Sequence, residues 1–64
     1  MWLKLTKRYD SEPVLVNADS VWAIETVSLT SGTFTRLSFG HDDHLDVKES
    51  VETIVEFMKI GSEV

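Results

Sequence analysis

Short runs of alternating apolar and polar residues, separated by turn formers, occupy most of the chain. Residues 2–7 alternate in part, turn-forming residues follow at 9–13, and β-branched residues return at 14–16. Alternation with a period of two is typical of strands with one buried face, and a turn between two such runs indicates a hairpin. The sequence therefore predicts a first β-hairpin in this region.

Three more strands are predicted after this hairpin. Asn17 and Asp19 have side chains that bond to nearby backbone groups and favour a turn. Strands are then expected over 21–27, 33–39 and 45–47, with glycine-containing turns between them. The strand at 21–27 is apolar on both faces, which predicts that a helix or a partner chain covers one of them.

The period of the pattern changes near Ser50. Apolar residues then recur at spacings of three, four and seven, which places them on one helical face: Val51, Ile54, Val55 and Met58. This pattern predicts an α-helix over about 51–60. Ser50 is suited to cap its N-terminus, and Gly61 is suited to the left-handed conformation at its end.

Charged residues surround the predicted start of the helix. Lys48, Glu49 and Ser50 are interpreted as a helix cap whose charges solvate the corner. Glu49, Glu52 and Glu56 are expected to form an acidic, solvated helix face. This face also offers a basic partner a binding surface.

Together these elements predict one small α+β domain spanning residues 1–64. Four or five short antiparallel strands within about 2–48 form a strongly bent or barrel-like sheet, and a C-terminal helix at about 51–60 covers its open face. Because a short sheet leaves unpaired backbone groups at its edges, we also expect a homo-oligomer formed by edge-strand pairing. The expected core consists of Leu3, Leu5, Val14, Val16, Trp22, Ile24, Leu37, Phe39, Val47, Ile54, Val55 and Met58.

Length and composition narrow the functional classes. The chain has 64 residues and a mass of 7.3 kDa, with 42% hydrophobic residues, 27% charged residues and no cysteine. These values predict a single folded domain without disulfides or thiolate metal sites. The sequence contains neither a nucleophile with a neighbouring base nor a glycine-rich phosphate loop. We therefore expect a protein that is not an enzyme and holds no cofactor.

Charge is distributed unevenly along the chain. The net charge is −5, yet residues 1–8 carry +3 from Lys4, Lys7 and Arg8. An acidic chain is poorly suited to binding a polyanion. No apolar run approaches the roughly 20 residues that cross a bilayer, and the opening residues lack the layout of a signal peptide. We therefore expect a cytoplasmic protein without membrane insertion.

Cations near aromatic residues are the candidates for contacts with a partner or with nucleic acid: Trp2, Lys4, Lys7, Arg8 and Arg36. Proteins that bind single strands combine such cations with aromatic rings on which bases stack. For the aromatic side chains themselves, packing in the core or at a subunit interface is the favoured interpretation, and it covers Trp2, Trp22, Phe34 and Phe39. Trp2 is the one most expected to leave the core, because it lies at the end of an edge strand.

Potential metal ligands cluster in one predicted turn. His41, Asp42, Asp43 and His44 have side chains that suit a divalent ion in principle. However, aspartate and glycine are also the residues that hairpin turns prefer. The turn interpretation is favoured, so no metal site is predicted.

Two segments resemble the FlbD/SwrD family of very small flagellar and swarming-motility proteins: residues 14–25 (VLVNADSVWAIE) and residues 45–56 (LDVKESVETIVE). The opening strand at 3–7 is similar to the short apolar and basic strand with which members of that family begin. The resemblance covers most of the chain. It implies a non-enzymatic, cytoplasmic accessory protein that acts through contact with another protein. A bacterial or phage relative that shares the fold but not the motility role would fit the same residues.

An Sm-like barrel is an alternative interpretation of the same predicted elements. Five short strands with one terminal helix are compatible with it, and proteins of that fold form rings that bind RNA. This alternative rests on architecture alone. It predicts an oligomeric nucleic-acid-binding module in which ring assembly gathers Lys4, Lys7 and Arg8 on one face.

Overall fold

A computed structural model describes residues 1–60 of the chain. It contains five strands, a single 3-10 turn at Ala18–Ser20 and one α-helix: β1 (Trp2–Thr6), β2 (Pro13–Asn17), β3 (Ala23–Leu29), β4 (Gly32–Ser38), β5 (His44–Val47) and α1 (Val51–Ile60). The predicted α+β class is confirmed. The proposed role of Gly61 at the end of the helix lies outside the described residues.

The strands form two small antiparallel sheets, β1 with β2 and β3 with β4 and β5. An isolated bridge between Lys7 and Val47 joins the sheets, flanked by hydrogen bonds from Arg8 N–H to the Asp46 carbonyl and from Lys48 N–H to the Thr6 carbonyl, both 2.9 Å. Within residues 1–60, β2 and β3 each pair with one strand only. The two sheets are therefore not closed into a barrel. In this part of the chain the outer strands β2 and β3 each leave one edge free, while the β1 side and β5 are joined only by this bridge and its flanking hydrogen bonds.

A small apolar core lies between the sheets and α1. Its fully buried members are all residues that the sequence predicted to be core: Leu3, Leu5, Val16, Leu37, Val47 and Ile54. Four other predicted core residues are partly buried against this cluster: Val14, Ile24, Phe39 and Met58. Their alternation along each strand and their helical spacing produce one continuous apolar surface, as expected from periodicity.

Two predicted core residues are exposed instead. Trp22 is 66% exposed, because it lies just before the first residue of β3, at the rim of the sheet. The Trp22 N–H donates to the Ser38 carbonyl there. Val55 is 38% exposed. It follows the buried Ile54 by one residue, which turns it about 100° around the helix axis and away from the core.

The third strand also differs from its prediction. It spans Ala23–Leu29 rather than 21–27, because the N–H of Val21 still closes the 3-10 turn onto the Ala18 carbonyl at 3.2 Å. Asn17 begins that turn, and its side chain accepts a hydrogen bond from the Asp19 N–H at 3.1 Å, which confirms the predicted turn. Helix α1 packs against β3 on one side, and most of the strand is exposed.

The corner before α1 joins the helix to the first hairpin. The Ser50 hydroxyl oxygen accepts from the Thr53 N–H at 3.1 Å, which confirms the predicted N-cap. Glu49 was predicted to be a solvated charge at this corner and part of the acidic helix face, and both predictions are wrong. It precedes the first residue of α1, and its carboxylate is hydrogen-bonded to Thr6. Its two carboxylate oxygens accept from the N–H and the hydroxyl of Thr6, each at 2.8 Å. Lys48 Nζ donates to the Ser11 hydroxyl across the same corner.

No helix among residues 1–60 has both the length and the apolar character needed to cross a bilayer.

Candidate binding surface

The outer face of the first hairpin presents apolar side chains to solvent. Because Leu3 and Leu5 are buried, strand alternation directs Trp2 and Lys4 to the opposite face. The register places Lys4 opposite Leu15. We call the outward residues of this hairpin, Trp2, Lys4, Pro13 and Leu15, the hairpin surface.

The hairpin surface has two features of a binding site: exposed apolar side chains and a shallow groove. Trp2 is 50% exposed and Leu15 is 54% exposed. A shallow groove of about 320 Å³ runs beside Leu15 and is lined by Lys4, Pro13, Val14 and Leu15. Within residues 1–60 the Lys4 ammonium makes no ion pair. The surface therefore offers apolar area with one available cation beside it.

A row of alternating charge crosses the outer face of the other strands. Arg36 on β4 lies opposite Glu25 on β3 and opposite Asp46 on β5. Arg36 Nε donates to Asp46 Oδ1 at 2.9 Å, and its Nη2 donates to Oδ2 at 3.3 Å. Arg8 follows β1 and bonds through its backbone to Asp46. We call Glu25, Arg36, Asp46 and Arg8 the charge row.

Phe34 lies beneath the two arginines of the charge row. It is only 5% exposed, although strand alternation directs it to the same outer face as Arg36. The Arg8 guanidinium carbon is 4.1 Å from the ring centroid, and that of Arg36 is 5.7 Å away, which is cation–π geometry. The Phe34 ring is thus covered and presents no face on which a base could stack. The sequence offered one indication of this contact, because Phe34 and Arg36 are two residues apart on one strand and therefore share a face.

The hydrogen bond from the Arg36 guanidinium lowers the pKa of Asp46 below its ordinary value of 3.8, and the positive charges of Arg36 and Arg8 act in the same direction. Partial burial opposes this shift. The same hydrogen bond raises the pKa of Arg36. The ion pair is consequently retained in moderately acidic solution.

Replacing Asp46 by asparagine is expected to reduce the loss in free energy of unfolding that accompanies a fall from neutral to acidic pH. A carboxylate with a lowered folded pKa adds stability above its ordinary pKa of 3.8, and this stability is lost as the pH falls through the folded value. Urea unfolding from neutral to acidic pH should show a smaller acid loss for Asp46→Asn than for the wild type. Asp42→Asn, in an exposed turn, should retain the wild-type acid loss. Identical profiles for Asp46→Asn and the wild type would contradict the role of this pair.

The five predicted contact residues do not form one basic face. Trp2 and Lys4 belong to the hairpin surface, whereas Arg8 and Arg36 belong to the charge row. Lys7 lies opposite the core residue Val47, and its Nζ is 3.4 Å from Asp10 Oδ2. The three cations of the opening segment therefore have three different surroundings.

The turn between β4 and β5 packs against Trp22. The His41 and Trp22 rings meet edge to face with centroids 5.7 Å apart, a contact that sequence periodicity did not reveal. The Phe39 N–H bonds to the Asp43 carbonyl at 2.8 Å and closes the turn. In the described part of the chain, no three histidine, cysteine or acidic side chains are grouped as they would be around a metal ion.

Comparisons of the chain with protein-family models, with curated proteins and with solved structures found no match.

Proposed function

We propose that this protein is a non-enzymatic protein-interaction module, which is the role that its resemblance to the FlbD/SwrD family implies, and that it binds another protein through the hairpin surface. The observation that carries the proposal is the exposure of Trp2 and Leu15 on the same face. These residues are diagonal neighbours across β1 and β2, close enough for their side chains to form one apolar area. Tryptophan is enriched among the residues that dominate binding energy at protein interfaces.

Charge indicates the chemistry of the protein partner. Lys4 lies opposite Leu15 and is available to a carboxylate, so the best-fitting partner presents an apolar side chain to the groove and an acidic side chain beside it. Arg8 and Arg36 already engage Phe34 and Asp46, which leaves them less available to phosphates. Together with the net charge of −5, this favours a protein partner over a nucleic acid.

Replacing Leu15 by aspartate is expected to weaken partner binding by about tenfold or more, equivalent to about 1.4 kcal/mol. The added carboxylate removes apolar contact area and repels an acidic partner. The measurement is quantitative affinity capture from an extract of a swarming bacterium with immobilised wild-type protein, followed by titration of the captured protein. Ile60→Asp changes an exposed apolar residue on α1 and should bind like the wild type.

Salt dependence separates the two classes of partner. An apolar contact with one ion pair should persist as salt is added, because screening weakens only the charged part. A single-stranded RNA oligonucleotide should show no comparable affinity. RNA binding that falls steeply with added salt, and that is lost in Lys4→Ala, would overturn the protein-partner proposal in favour of the Sm-like alternative.

We also propose that the protein self-associates through a free strand edge. In residues 1–60, β2 and β3 each leave one side of their backbone unpaired by another strand. Such edges are templates for pairing with a further strand. Self-association is independent of the hairpin surface, since side chains of that surface project from the sheet face and not from its edge.

A further inference from the structure

We infer that the self-associated form is a two-fold dimer in which the β3 strands of two copies pair antiparallel about Thr26. The three-stranded sheets of the two copies then become one continuous sheet. This inference rests on the self-association proposed above, and it names the edge, the register and the residues covered. It does not depend on the identity of the partner that binds the hairpin surface.

The edge of β3 is more open than the edge of β2. Five of the seven β3 residues are exposed, and the strand pairs with β4 without a bulge over its whole length. It contains no proline, lysine or arginine, which are devices that protect natural sheet edges. By contrast, β2 has five residues and begins with Pro13, which cannot donate to a neighbouring strand.

Exposed apolar side chains lie at both ends of β3. Trp22, just before the strand, is 66% exposed, and Leu29, its last residue, is 53% exposed. Antiparallel pairing about a two-fold axis places the start of one β3 beside the end of the other. Leu29 of each copy therefore lies directly opposite Ala23 of the second copy on the same face, and these two exposed apolar side chains lose solvent contact. This self-complementarity makes a second copy the occupant of the edge.

The register follows from symmetry and charge. A two-fold axis through Thr26 pairs all seven residues of the strand: Thr26 with Thr26, Glu25 with Val27, Ile24 with Ser28, and Ala23 with Leu29. Centring the axis on Glu25 instead would place two carboxylates directly opposite each other, which is destabilising. Centring it on Val27 would leave Ala23 and Ile24 without partners. In the Thr26 register, Glu25 keeps its position beside Arg36 of its own copy.

Cysteine cross-linking tests this register directly, because the natural chain contains no cysteine. Directly opposite residues in an antiparallel pair approach within disulfide reach. Oxidised Thr26→Cys should form a covalent dimer. Leu29→Cys alone should not, whereas a mixture of Ala23→Cys with Leu29→Cys should. Thr33→Cys, an exposed threonine on the inner strand β4, is the matched control and should stay monomeric. Efficient cross-linking of the control, or none at Thr26, would overturn the register.

The second test is the solution mass measured by sedimentation equilibrium. The wild type should show twice the 7.3 kDa mass of one chain, and Thr26→Lys should dissociate at least about tenfold more readily, since it places two ammonium groups opposite each other. Thr33→Lys should dimerise like the wild type. Mixing Thr26→Lys with Thr26→Glu should restore the dimer, which shows that the lysine variant is folded.

The outcomes separate this inference from partner binding. Leu15→Asp should lose the protein partner and keep the dimer, whereas Thr26→Lys should lose the dimer and keep the hairpin surface. A wild-type protein that stays monomeric up to millimolar concentration would overturn the dimer and leave the hairpin surface to its own test. A dimer that Thr26→Lys does not weaken would equally overturn pairing through β3.

Discussion

Replacing Ile54 by alanine is expected to lower the free energy of unfolding by about 3 to 4 kcal/mol. Ile54 is fully buried and is the one such residue that α1 contributes to the core. Its truncation removes apolar contacts within the buried core cluster and leaves a cavity there. A domain of this size has a total stability of roughly 3 to 10 kcal/mol. The variant is therefore expected to be largely unfolded under mild denaturing conditions.

Urea unfolding followed by circular dichroism measures this loss. The matched control is Val55→Ala, which shortens the next residue of the same helix, where the side chain is 38% exposed. Its expected loss is about 1 kcal/mol or less, because little buried surface is removed and alanine favours the helix. Equal losses for the two variants would mean that α1 does not pack through the Ile54 face.

Replacing Glu49 by alanine is expected to lower the free energy of unfolding by about 2 to 3 kcal/mol. The Glu49 carboxylate accepts two 2.8 Å hydrogen bonds from Thr6, one from the backbone N–H and one from the hydroxyl. Removing it leaves a partly buried donor of β1 without its acceptor. It also releases the start of α1 from the first hairpin, so the two effects reinforce each other.

A neighbouring acid supplies the control for this variant. Glu52→Ala removes an exposed carboxylate in the first turn of α1 and should cost about 0.5 kcal/mol through the helix dipole. Glu49→Gln keeps one oxygen as an acceptor, so its loss should lie between those of the two alanine variants. If Glu49→Ala were no more destabilised than Glu52→Ala in urea unfolding, the corner would not depend on this carboxylate.

The local elements could be predicted because their causes are local. Helix α1 has the predicted bounds, Val51–Ile60, since the cap bond from Thr53 to Ser50 and the spacing of its apolar face lie within one or two turns. The first hairpin follows in the same way from alternation and turn residues. Ten of the twelve predicted core residues are buried or packed against the core, because periodicity alone assigns a side chain to a face.

Whether a side chain at the end of a strand or at the border of a helix face is buried depended on the tertiary structure. Trp22 has the apolar character of a core residue, but the 3-10 turn delays the start of β3 and leaves its ring at the rim beside His41. Val55 satisfies the helical spacing as well as Ile54 does. Which of the two faces the core was decided by the direction from which the sheets approach the helix.

The sequence predicted which residue types could make surface contacts, while the tertiary structure determined which of them are paired with one another. The sequence alone indicated Trp2, Lys4, Lys7, Arg8 and Arg36 as contacts, because charge and aromaticity are properties of single residues. It carried no signal for the bridge between Lys7 and Val47, beside which Arg8 meets Asp46 and Phe34. It likewise carried none for the bond between Glu49 and Thr6, which lie 43 residues apart. Composition and periodicity determined the elements and their faces, while the alignment of distant strands decided which charges are paired and which surfaces are free to bind.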